Sequence, residues 1–231
     1  MTTIKRLVCL ANSRKNRGRC VAGIVDDGSR KWIRPVSARQ GHEVSAYERQ
    51  YENGSDPSVL DIVSVPLLQP KPHGFQRENW LLDPHAHWKK IGRVGWDKLL
   101  TLEQRPKTLW TNGYSTYHGN NDRVSTEQVN TLPDSLKLIR VDGVTLQVHV
   151  PKEAFGDPTR VVRAKFRYAG SEYALRVTDP VYERIYLAER NGIYKLSEAF
   201  LTVSLGEPFE GYVYKLVAAI VERAKTKTGG K

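Results

Sequence analysis

The chain has 231 residues, and 36 Lys and Arg against 25 Asp and Glu leave it at +11 with histidine neutral. An apolar content of 39% with 9% aromatic residues supplies real cores, which excludes disorder over most of the length and fits one large domain or two small ones. The longest unbroken aliphatic run, Leu216 to Val221, is far short of the roughly 20 residues a membrane helix needs, so no membrane partner is expected.

The N-terminus, MTTIKRLVCLANSRK, has a short apolar patch flanked by basic residues and no cleavage site after a long apolar region, and it reads as cytoplasmic. Residues 4–11 (IKRLVCLA) and 19–26 (RCVAGIVD) predict two strands, with Arg14, Lys15, Arg17 and Arg19 in and beside the loop between them. Cys9 and Cys20, one on each strand, are too few for an all-cysteine zinc site and read as thiols in a reducing compartment. Asp27-Gly28-Ser29 signals a turn, and KWIRPV (31–36) gives a third strand that ends near Pro35. Ser45 is a candidate N-cap for a short helix over residues 46–51, stopped by Asn53-Gly54, and VLDIVSVPLL (59–68) is a fourth strand.

Residues 70–135 differ in character. They hold Trp80, Trp88, Trp96 and Trp110, four of the five tryptophans, together with five prolines. A helix is predicted toward the end of residues 87–104, with Trp96, Leu99 and Leu100 on one face. So much indole argues for a connector packed against its neighbours rather than a free tether.

The last third repeats the order of the first. LKLIRVDGVTLQVHV (136–150) predicts one long strand or a bent pair, and VVRAKFRYA (161–169) the next. Gly170-Ser171 is the turn and EYALRVT (172–178) the third strand. Asp179-Pro180 opens a helix, and AFLTVSL (199–205) and YVYKLVAAIV (212–221) add two strands. Gly28-Ser29 aligns with Gly170-Ser171, Arg34 with Arg176, and Tyr47-Glu48-Arg49-Gln50-Tyr51 with Tyr182-Glu183-Arg184-Ile185-Tyr186. Shared landmarks in a shared order point to duplication. Three strands, a helix and two strands is also the order of the five-stranded OB barrel. The expected fold is therefore mostly β: two OB-like five-stranded barrels in tandem, each with a short helix between strands 3 and 4, joined by a Trp/Pro-rich connector. The expected boundaries are 1–69, with a fifth strand within 70–110, then 70–135 for the connector, 136–222 for the second barrel and 223–231 for a basic flexible tail.

The charge is not evenly spread. Residues 1–40 carry +8, residues 137–176 carry +4 and residues 215–231 carry +4, whereas the intervening stretches are slightly acidic. A basic loop can neutralise phosphates, and strand aromatics can stack on bases. Candidate nucleic-acid contacts are Arg14, Lys15, Arg17, Arg19, Trp32 and Arg34 in the first copy and Arg167 and Tyr168 in the second, beside Phe166 and Tyr173. The bland alternatives are a solvated hairpin tip and ordinary core packing. In NGYSTYHGNNDR (112–123), His118 as a general base, Asp122 as its orienting partner and Arg123 as a phosphate contact are candidate catalytic residues. A hydrogen-bonded loop is the competing reading. His73, His85 and His87 near Asp83 are a weak metal signal, and no Walker or dinucleotide glycine loop occurs, so neither metal nor cofactor is expected.

With LVCLANSRK (7–15), GRCVAGI (18–24), WIRPVS (32–37), YERQYENGSDPSVLDIV (47–63), ENWLLDP (78–84), VGWD (94–97), the NDR triplet at 121–123 and SLGEPFEGYVYKLVAAI (204–220), the chain resembles the bacterial dual-OB domain family over nearly its whole length. The resemblance implies two OB-type barrels and a nucleic-acid role in a bacterial conflict or defence system. It supplies no catalytic residue. The leading expectation is a non-enzymatic module that binds single-stranded or structured DNA or RNA. The rivals are an adaptor that docks another protein subunit and a nucleotide- or nucleic-acid-processing enzyme built on the 112–123 loop.

Overall fold

The computed structural model describes residues 1–15, 18–151 and 159–226. Strand makes up 50% and helix 13%, so the chain is mostly β. Two compact units emerge: Met1–Leu102 with Pro133–Ser135, and Glu103–Leu132 with the described residues from Leu136 onward.

The first unit is built from β1 (Thr3–Lys15), β2 (Gly18–Val25), β3 (Trp32–Val36), α1 (Ala46–Arg49), β4 (Asp61–Pro70), β5 (Asn79–Leu82), β6 (Lys89–Arg93) and α2 (Trp96–Leu102). The first half of β1 pairs antiparallel with β4 and its second half with β2. β3 runs parallel to β5, which returns antiparallel to β4. The order β1-β2-β3-β5-β4-β1 is a closed five-stranded barrel with the OB connectivity, and β6 lies outside it on β4. The fifth strand, Asn79–Leu82, falls in the 70–110 interval anticipated for it. Pro35 fits inside β3 because β2 pairs only with Trp32 and Ile33, so no ladder bond toward β2 is asked of a residue without an N–H. Inside the barrel, Leu7, Cys9, Ile33, Val65, Leu82 and the fully buried Trp88 form the core. Ser45 caps α1 in a capping box with Glu48.

The second unit comprises β7 (Arg123–Ser125), α3 (Thr126–Val129), β8 (Leu136–Val141), β9 (Val144–His149), β10 (Val161–Tyr168), β11 (Ser171–Val177), α4 (Pro180–Ala188), β12 (Gly192–Leu196), β13 (Ala199–Phe209), β14 (Tyr212–Glu222) and the single turn α5 (Arg223–Thr226). Residues 136–150 are the bent pair: β8 pairs with β13, while β9 pairs with β10 and β12. β11 runs parallel to β14 at Arg176 and Val177, and β14 pairs antiparallel with β13. With β8 and β9 standing for one bent first strand, the sequence of pairings repeats that of the first barrel. The hydrogen-bonded ladder itself does not close, because β8 and β12 are its two ends.

The duplication is visible at the turns. Gly28 and Gly170 join strands 2 and 3 of their copies with φ of 81° and 80°, a left-handed conformation that favours glycine. The aligned side chains have diverged. Tyr47 is exposed where Tyr182 is buried and bonded to Glu222, and Arg49 is buried where Arg184 is exposed. The helices preserve position in the fold, not environment.

The segment 70–135 is divided between the units. Trp80, Trp88 and Trp96 belong to the first and Trp110 to the second. Of the basic tail, residues 223–226 form α5 and 227–231 lie outside the described residues. Cys9 and Cys20 are free thiols; burial, then the charge of Asp61, pushes Cys9 up to about 12. Among the described residues no helix is long and apolar enough to cross a membrane.

Candidate nucleic-acid interface

Strand alternation on β10 sets up a cleft in the second unit. Lys165 and Arg167 point outward, while Phe166 points in and stacks on Tyr173 of β11, ring centroids 5.5 Å apart. Tyr117, His118 and Asn120 form the opposite wall, and the space enclosed is about 450 Å³. Tyr117 is 84% exposed and stands edge-on to His118, which in turn packs against His149 at 4.9 Å between centroids. Burial, with His118 and Arg163 nearby, holds His149 below its ordinary value.

The wall is fixed by a buried polar cluster. Asp122 accepts from the Thr116 amide (2.8 Å) and hydroxyl (2.6 Å) and from the Arg163 guanidinium (3.2 Å), and its backbone carbonyl accepts from the Lys215 amide (2.8 Å). Asn120 exchanges backbone hydrogen bonds with Ala174 on β11, and β7 pairs with the start of β14. Residues 112–125 thus fill the gap where β11 and β14 diverge. Gly119 is required sterically, since a Cβ there would stand 1.8 Å from Oδ2 of Asp122.

Lys215 is the residue that sequence reasoning missed. It is 1% exposed, donates from Nζ to the Thr111 carbonyl (2.6 Å) and to Oδ1 of Asn112 (3.2 Å), and lies 5.4 Å from the centre of the Tyr173 ring. Its signal was a lone charge on the inward parity of β14, between Val213 and Val217. Burial pulls its ammonium down to about 7, against the opposing pull of Asp122. Above that value the unfolded chain holds a proton the folded chain has released, so stability rises with pH. Tyr168 and Cys9, both pushed up to about 12, oppose this once thiols and phenols ionise in the unfolded chain. From about pH 7 to 8.5 the wild type is expected to gain about 1–2 kcal/mol, and Lys215→Met to lose most of that slope. Urea midpoints at the two pH values check it, and equal slopes in both proteins would overturn it.

The remaining candidates separate clearly. Arg14 is exposed and stands directly opposite Arg19 in the β1–β2 ladder, with Lys15 opposite Gly18 at its end. Arg17 lies outside the described residues. Trp32 is half-buried on β3. Arg34, 2% exposed, bonds Glu78 and Ser135 at 2.9 Å each and is an internal tie of the first unit rather than a phosphate contact. Arg167 lines the cleft, whereas the half-buried Tyr168 is not among its lining residues. His118 is also in the lining, but its ring is flanked by Tyr117 and His149, and the Asp122 carboxylate is engaged by Thr116 and Arg163, so the two do not form a base and its orienting partner. Arg123 lies over the Tyr212 ring at 4.0 Å. No group of three His, Cys, Asp or Glu able to hold a metal occurs among the described residues.

The sequence matches the family model described as Dual OB-containing domain over residues 5–220. The chain belongs to that family. A dual OB chain has two copies of the strand 2–3 face, here β2–β3 and β10–β11, and the cleft sits on the second. No curated protein matches the chain. No solved structure matches it either.

Proposed function

We propose that this dual OB chain is a non-enzymatic module that binds single-stranded or structured DNA or RNA. The observation that carries this reading is the position of the cleft on β10–β11, because OB barrels hold oligonucleotides on strands 2 and 3 and the adjoining loops. Lys165 and Arg167 supply cations, and the exposed ring of Tyr117 supplies a stacking face. The β1–β2 hairpin offers a second contact. There Arg14 stands opposite Arg19, with Lys15 beside them, which concentrates positive charge at one end of the ladder. The proposed setting, a bacterial conflict or defence system in the cytoplasm, rests on the family resemblance alone.

Fluorescence anisotropy with single- and double-stranded DNA and RNA at two salt concentrations tests the module. Binding that weakens steeply with salt is expected. Protein that ignores every oligonucleotide yet co-purifies with another subunit would replace this reading with the adaptor. One feature favours that second reading: Val181 and Ile185, one turn apart on α4, are exposed, as is Ile193 on the open edge strand β12.

A further inference from the structure

The cleft contains a group that phosphate binding does not need. Glu172, on β11 directly opposite Arg167 in the ladder, is exposed and lines the space. Neither side chain is in an ion pair among the described residues, although their backbones are cross-strand neighbours. A carboxylate placed among phosphate-binding cations weakens their field, so its presence is informative about what else the cleft must contact.

Resting on the nucleic-acid reading above, we propose that the cleft takes one unstacked nucleotide and prefers guanine, with Glu172 reading the base. A volume of about 450 Å³ is in the range of about 300–1,000 Å³ typical of small-ligand sites, which suits one nucleotide rather than a length of strand. Tyr117 offers its ring on one wall, and Lys165 and Arg167 supply charge on the facing strand. An ionised carboxylate only accepts hydrogen bonds, through two oxygens side by side. Guanine alone presents two adjacent donors, a ring N–H and an amino group, on its Watson–Crick edge. Cytosine and adenine present an amino group next to a ring acceptor, and uracil or thymine places carbonyls on both sides of a single N–H. Bases displayed on that edge are available only in single strands, loops and ends. Asn120, held at the wall by its backbone bonds to Ala174, adds a carboxamide that both donates and accepts.

The experiment is anisotropy of the full chain with labelled short oligothymidylates carrying a single central guanine, adenine or cytosine, or none. The wild type is expected to bind the guanine oligonucleotide roughly 5- to 150-fold more tightly than the all-thymine one. Glu172→Gln should abolish that preference and tighten binding of the all-thymine oligonucleotide, because the carboxylate no longer weakens the field of the cations. Arg167→Gln should weaken all four alike. Circular dichroism of each variant confirms folding, which these exposed positions should not disturb. Equal binding of all four by the wild type, or a guanine preference retained by Glu172→Gln, overturns the base assignment and leaves the nucleic-acid module standing. No binding to any of them overturns the base assignment, and the panel of single- and double-stranded DNA and RNA decides the nucleic-acid module separately.

Discussion

Asp122→Ala is expected to destabilise the second unit by about 3–5 kcal/mol, the usual cost of removing one partner from a buried ion pair. The magnitude follows from what is left behind. Arg163, buried on β10, would keep its charge without the carboxylate, and Thr116 would lose the acceptor for both its amide and its hydroxyl. The nearby Lys215 would lose the negative charge that favours its protonated form. Asp122→Asn keeps an acceptor for Thr116 and should cost less. Calorimetry should show one transition shifted down by roughly 10 °C or more in the alanine variant, with the transition of the first unit in place. A shift of only a degree or two would mean that the cluster is not what fixes the cleft wall.

Charge reversal gives the largest expected effect on binding and separates the two barrels. Lys165→Glu with Arg167→Glu should reduce affinity for a single strand by about 100-fold or more at low salt, and it should flatten the salt dependence by about 0.7 in slope for each phosphate no longer neutralised. Reversal of Arg14, Lys15 and Arg19 should reduce affinity with a similar flattening, as a separate contact made by the first unit. Unchanged affinity in the hairpin variant would confine the ligand to the second unit. Unchanged affinity and slope in both would remove the basis for the proposed interface.

The surroundings of several site candidates were set by partners far away in sequence. Arg34 was a candidate nucleic-acid contact, but Glu78, 44 positions on, and Ser135 enclose it. Phe166 and Tyr173 were candidates for stacking on bases with core packing as the alternative, and both are buried and stack on each other. The polar 112–123 segment offered catalytic residue types, with a hydrogen-bonded loop as the competing reading. Its bonds to β11 and its continuation into β7 make it part of the barrel wall, and Asp122 is used up holding it.

The sequence by itself determined the features that arise within a few residues of one another. These are the strand, strand, strand, helix order of both copies, the caps at Ser45 and Asp179, the glycine turns at Gly28 and Gly170, and the concentration of positive charge near the N-terminus. All follow from local backbone preference and composition. Only the tertiary structure decided that the four residues Asn79–Leu82 close the first barrel against β3, that residues 70–135 split between the units, and that Lys215 sits in a core. Parallel closure and burial are settled by packing between distant segments, which no local pattern records. The net charge of +11 was therefore legible from the start, but which cations face outward, Lys165 and Arg167, and which are locked inside, Arg34, Arg163 and Lys215, was fixed only when the strands paired.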